Sequence, residues 1–137
     1  MTKPVSTPVK DTSAMISGMA PVLDDPLYHF CLLPDGAEAL KSQALASFAE
    51  DEGLSVILTD QVARDAGLAS DLPMRRITLT VHSALDGVGL TAAVASALAD
   101  AGIACNMVAA YHHDHAFVPA TDADRALAIL QALAGAE

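Results

Sequence analysis
Between an alternating apolar run and a helix-like stretch stands the turn Ser83-Ala84-Leu85-Asp86-Gly87-Val88-Gly89-Leu90. Its residue types suit capture of a small anion. Glycines let the backbone approach a ligand closely and adopt conformations closed to other residues. The first N–H groups of a following helix have no intrahelical acceptor, and the helix dipole favours negative charge there. The N–H groups of Gly87 to Leu90 thus suit a carboxylate. Asp86 can accept from an ammonium, and Ser83 can serve either group. The plain alternative is a tight strand-to-helix turn capped by Asp86. A phosphate loop is excluded, because G-x-G here lacks the lysine and the spacing of one.

A second cluster is Tyr111-His112-His113-Asp114-His115. His113 and His115 are two apart and share one side of an extended chain; with His112 and Asp114 they carry the donors that zinc or another borderline metal takes. The alternatives are a polar hairpin tip, or an imidazole of His113 or His115 bordering the anion site and tuning it with pH. His82 either touches the ligand or is an exposed strand end. His29 and Cys31 share a strand face, but no orienting acid is evident, so they read as packed strand residues. Glu50-Asp51-Glu52 reads as a solvated hairpin tip. The motifs G-x-S-x-G, H-E-x-x-H and C-x-x-C do not occur. No catalytic residue, cofactor or metal is assigned.

The frame for these residues is 137 residues long and 53% hydrophobic, enough for one compact unit or two very small ones sharing a core. The net charge of −10 and the absence of Trp argue against nucleic acid and anionic membranes. Cys31 and Cys105 sit in apolar runs and read as buried free thiols in a reducing compartment. No signal peptide and no apolar run long enough to span a bilayer is visible, which points to a cytoplasmic protein.

Residues 1–10 read as frayed, followed by a short helix capped by Asp11 or Thr12, with Ile16 and Met19 on one side and Pro21 and Pro26 closing the region. Leu27–Leu33 is a strand stopped by Pro34-Asp35-Gly36, and a helical turn covers Ala37–Ser42. ALASFAE and LSVILTD form a hairpin, and Gln61–Gly67 a short helix. In Arg76–His82 the apolar Ile77, Leu79 and Val81 alternate with polar residues, the mark of a strand with one buried face. Val88–Ala101 is a helix with Leu90, Val94, Ala97, Leu98 and Ala101 inward, ended by Gly102. Ile103–Tyr111 and His115–Pro119 are strands, and a final helix runs from Thr121 to Gly135. Each half reads β–α–β–β–α, an α+β class with antiparallel sheets, helices on one face and opposite faces that require burial. The division is an N-terminal extension over 1–24, a first half over 25–73 and a second over 74–137.

Arg76–Pro119 resembles an ACT domain, the ferredoxin-like regulatory module that senses amino acids. The resemblance rests on the loop Ser83–Leu90, the helix end ALADAGI and the following strand with Cys105-Asn106. Leu98, Gly102, Ile103 and Asn106 approximate the family's L-x-x-x-G-I-N pattern, with two residues inserted before Asn106. The blocks EDEGLSVIL and LTVHSALDGVGLTAAVASALADAGI resemble small bacterial tandem-ACT proteins, related to the ACT pairs of a eukaryotic cytosolic arginine sensor. The second half lacks a fourth strand after its last helix, which implies that a strand is shared, and the first half lacks the glycine loop. The resemblance implies a non-enzymatic protein, most simply a homodimer, that binds an amino acid or similar metabolite at Ser83, Leu85, Asp86, Gly87, Val88, Gly89, Leu90 and Asn106. The ligand would bias the packing of ACT-like units and act on a separate partner. The rivals are a metal carrier or metal-dependent enzyme built on the histidine hairpin, and a purely structural dimerisation module.

Overall fold
The computed structural model describes residues 8–136. In chain order its elements are α1 (Thr12–Ser17), β1 (Pro21–Leu23), β2 (Tyr28–Leu32), a 3-10 turn (Glu38–Gln43), β3 (Ala46–Glu50), β4 (Gly53–Thr59), α2 (Asp60–Asp65), β5 (Met74–Leu79), α3 (Leu90–Asp100), β6 (Asn106–Ala109), β7 (Asp114–Pro119), a 3-10 turn (Ala120–Asp122) and α4 (Ala123–Ala136). Both halves thus show the antiparallel strands and one-sided helices of the ferredoxin-like α+β class. The chain forms two compact units, Asp25–Arg75 and the segment up to Asp24 together with that from Arg76 on.

In the Asp25–Arg75 unit, β4 lies between β3 and β2, antiparallel to both, and Tyr28 of β2 faces Met74. Alternation sorts the two faces. Leu33, Val56 and Leu58 pack with Ala63 of α2. On the other face, Phe30 and Ala46 flank Ile57, while Leu32 and Phe48 flank Ser55. His29 is 1% exposed. The amide N–H of Ser70 donates to its Nδ1 at 3.0 Å, so the ring proton sits on Nε2, 2.7 Å from Asp60 Oδ1. An orienting acid is therefore present, contrary to the sequence reading. It comes from the first turn of α2, far away in sequence. Asp60 also takes Arg64 Nε at 2.8 Å, and His29 first and Arg64 second hold its carboxyl below the usual range. With Nδ1 already accepting a backbone N–H, the imidazole ties β2, α2 and the Ser70 loop together. Cys31 Sγ donates to Leu68 O at 3.4 Å. Both cysteines are half-buried rather than fully buried, and burial pushes both thiols up.

The other unit is discontinuous in sequence. Its strands run β1, β5, β7, β6. Pro21–Leu23 pairs antiparallel with Ile77–Leu79, so β1 stands where a fourth strand after α4 would stand. The sequence reading closed this region at its prolines. A proline as first residue of an edge strand is nonetheless compatible with pairing, since it lacks only a donor. Strand β5 pairs with β1 through Ile77–Leu79. Helices α1, α3 and α4 pack on one another. Met15, Ile16 and Met19 join Ile77, Leu79, Val94, Leu98, Ala116, Val118 and Leu130 in one buried cluster. The N-terminal segment is thus core rather than frayed from Val9 onward; the expectation for residues 1–7 lies outside the described residues.

Candidate functional site
The turn after β5 is held from two directions. Within it, Gly87 N donates to Ala84 O at 2.9 Å. From outside, Val9 pairs with it: Val9 N donates to His82 O, and Ala84 N donates to Val9 O, both at 2.8 Å. Lys10 Nζ reaches Asp86 Oδ2 at 2.8 Å and holds that exposed carboxyl below its usual range. The Thr12 hydroxyl donates to Val88 O. Gly89 then caps α3 at φ 109, a conformation that favours glycine, and no side chain caps the helix. The first helical bond runs from Ala93 N to Gly89 O at 2.9 Å. The N–H groups of Leu90, Thr91 and Ala92 precede it and lack an intrahelical acceptor. Gly87, expected among the donors of this turn, spends its N–H inside it.

Among the described residues two clefts flank this turn. The smaller, about 110 Å³, is lined by Met15, Ser83, Ala84, Leu85, Gly87, Gly89, Leu90, Thr91, Ala109 and Asp114. Asp114 is only 8% exposed and accepts from Ser83 Oγ at 2.9 Å. It shares a strand face with Ala116 and Val118, which explains its burial. The cleft thus joins the uncapped start of α3 to a carboxylate. The larger cleft, about 420 Å³, is lined by Pro8, Lys10, His82, Ser83, Ala84, Leu85, Asp86 and Tyr111.

Of the residues singled out in the sequence, Ser83, Leu85, Gly87, Gly89 and Leu90 line the smaller cleft, and Asp86 lines the larger. Three depart from expectation. Asp86 already holds an ammonium, that of Lys10. Val88 is exposed, lines neither cleft, and offers its carbonyl to Thr12. Asn106 pairs with Phe117 on the sheet face opposite Asp114 and Ala116, and its Nδ2 donates to Phe117 O at 3.5 Å. His113 and His115 also leave the clefts. His113 Nδ1 is 3.5 Å from Val81 O, and His115 Nδ1 is 3.1 Å from Thr78 Oγ1. Burial first, with Arg76 and His113 adding to it, lowers the His115 pKa. Among the described residues no three His, Cys, Asp or Glu converge as a metal would require. Thr91, Met15 and Lys10 were not singled out, and Thr12 only as a possible cap of the first helix, a role Asp11 takes. Asp114 was noted only as a metal donor, although its parity with Ala116 and Val118 marked it for burial.

A sheet of this order, backed by helices and carrying a glycine turn at the strand-to-helix junction, defines a ferredoxin-like module. The ACT-domain family matches twice, over residues 7–75 and over residues 72–132. The chain belongs to the ACT-domain family, as a tandem pair. It is similar to a Vibrio cholerae protein of unknown function, suggested as a transport protein: 42% identity over 86% of this chain and 92% of that one, with a TM-score of 0.76. At fold level it resembles a protein from Agrobacterium tumefaciens, with 18% identity, 83% and 87% coverage and a TM-score of 0.64. It likewise resembles the regulatory subunit of aspartate kinase from Thermus thermophilus in its ligand-free form, with 15% identity, 85% and 97% coverage and a TM-score of 0.60. No curated protein matches the chain. Family membership supports a small-molecule-binding regulatory role. Among the described residues no helix is long and apolar enough to cross a membrane.

Proposed function
We propose that this protein is a non-enzymatic regulator that binds an amino acid, or a similar zwitterion, in the cleft beside the Ser83–Leu90 turn. One observation carries the reading: the uncapped start of α3 and the buried Asp114 carboxylate line the same cleft. The N–H groups of the first helical turn suit the ligand's carboxylate, and Asp114 suits its ammonium. Ser83, already bonded to Asp114, fixes that carboxylate. Occupancy shifts the population of packings between this chain and a second copy, and through that its contact with a partner. A homodimer is supported by the helix-free face of the Asp25–Arg75 unit. Phe30, Leu32 and Phe48 stand exposed there on one side, Phe48 at 75%, an apolar patch that a second copy would cover.

The test is thermal unfolding of dialysed protein against the standard amino acids. A ligand at about 100 times its dissociation constant adds about 2.7 kcal/mol, several degrees in midpoint for a domain of this size. Thr91→Glu is the matching variant. A carboxylate in the first turn favours the helix, so the fold holds, yet it occupies the anion position. Loss of the ligand-induced shift in Thr91→Glu is expected; an undiminished shift would place the ligand elsewhere. A selective shift also separates this reading from a purely structural module.

A further inference from the structure
We infer that the larger cleft receives the ligand's side chain, and that the ligand is therefore an amino acid with a large apolar or aromatic side chain. This rests on the proposal that the smaller cleft holds the zwitterion. The two clefts share Ser83, Ala84 and Leu85 as a common wall, so a ligand anchored at α3 continues into the second space. A volume of about 110 Å³ accommodates little beyond the zwitterion, whereas about 420 Å³ falls within the usual range of ligand pockets.

The chemistry of the larger cleft decides the class. Leu85 and Tyr111 are 73% and 70% exposed, two large apolar surfaces at one cleft that gain only when something covers them. Tyr111 is braced by rings: His112 meets it edge-on at 4.9 Å, and His82 stands at 6.0 Å. Such bracing limits what the ring loses in freedom on binding. The two charged residues of the cleft are spent on each other, Lys10 on Asp86 at 2.8 Å. A charged ligand side chain would have to break that pair or remain unmatched, whereas an apolar one leaves it intact. Size and aromatic contact remain as the means of selection.

Titration calorimetry of the full chain with Phe, Leu, Ala, Asp and Arg tests this, with Tyr111→Ala and Thr91→Glu run beside the parent. Phe or Leu is expected to bind at least tenfold more tightly than Ala, Asp or Arg, given what burial of a large side chain contributes. Tyr111→Ala, at an exposed position, is expected to fold normally by circular dichroism and to lose about tenfold for Phe, the scale of one aromatic contact. Preference for Ala, Asp or Arg, with binding still lost in Thr91→Glu, would overturn the side-chain assignment while leaving the turn as the anchor. Unchanged Phe affinity in Tyr111→Ala would overturn it equally. Binding that survives Thr91→Glu, or no binding by any amino acid, would overturn the anchor reading and this one with it.

Discussion
The contact between Thr12 and Gly89 offers a sharp test of how the N-terminal segment holds the Ser83–Leu90 turn. A Cβ built on Gly89 would lie 2.7 Å from Thr12 Cγ2 and 3.0 Å from its Oγ1, on a backbone at φ +109. Gly89→Ala therefore meets two separate penalties. The backbone conformation costs an L-residue on the order of 1–3 kcal/mol wherever it occurs. Overlap with a neighbour in a packed contact adds about 1–3 kcal/mol unless the neighbour can retreat. Thr12 can retreat only by giving up its bond to Val88 O. The expected loss is about 3 kcal/mol, a large share of the roughly 5–15 kcal/mol by which a domain is stable. Thr12→Ser removes the methyl and keeps the hydroxyl, so on its own it is near neutral. In that background Gly89→Ala should cost less, leaving the conformational part, with a coupling of about 1 kcal/mol between the two sites. Urea unfolding of the four proteins at one pH measures this. A Gly89→Ala loss below about 1 kcal/mol, or the same loss in both backgrounds, would refute the close contact.

Met15→Ala should destabilise by about 2–5 kcal/mol in chemical denaturation, since Met15 is 1% exposed inside the cluster that α1 shares with α3 and α4. His29→Leu keeps the volume but leaves the Ser70 N–H without its acceptor and the Asp60 carboxylate with Arg64 alone; a loss of about 1–3 kcal/mol is expected, and an unchanged urea midpoint would contradict the tie described above. The lowered His115 pKa means that the unfolded chain binds more protons in the window just below the ordinary histidine value. That contribution is complete above about pH 6.5 and is lost as pH falls toward the lowered folded value, so His115→Gln should flatten the fall in midpoint over that window. Sedimentation should show the chain as a dimer, with Phe48→Glu shifting it toward monomer.

Most elements were legible because their apolar spacing was clear: Ile77, Leu79 and Val81 at period two, and Leu90, Val94 and Leu98 at helical spacing, all found buried or half-buried. Strand β1 was not, since three residues that begin with Pro21 carry no periodicity. Its pairing with Ile77–Leu79 is decided by tertiary packing alone. The glycine turn was read as two permissive residues, but only Gly89 has a positive φ. Gly87 is required for space instead, with Met15 Sδ 3.1 Å from where its Cβ would be. His29 and Asp60 are separated by a hairpin and a turn, and nothing local announces their pairing. Asn106 was misplaced by a parity effect: in a strand, the position of one residue fixes the face of every other, and Asn106 falls opposite Phe117 rather than on the Asp114 face.

The use of β1 as the missing edge strand has a consequence for how the chain comes into being. The Asp25–Arg75 unit is continuous, so its hairpins can close while the ribosome is still adding residues. The other unit cannot follow that order. Its first residues emerge earliest, yet the surfaces that bury Met15, Ile16 and Met19 belong to α3, β7 and α4, made last. Closing that separation is an entropic cost met before any contact rewards it, which slows folding. During synthesis the three side chains remain exposed longer than any others in the core. A rearranged gene that moves the segment through Asp24 to follow α4 would make the unit continuous, and should speed its folding.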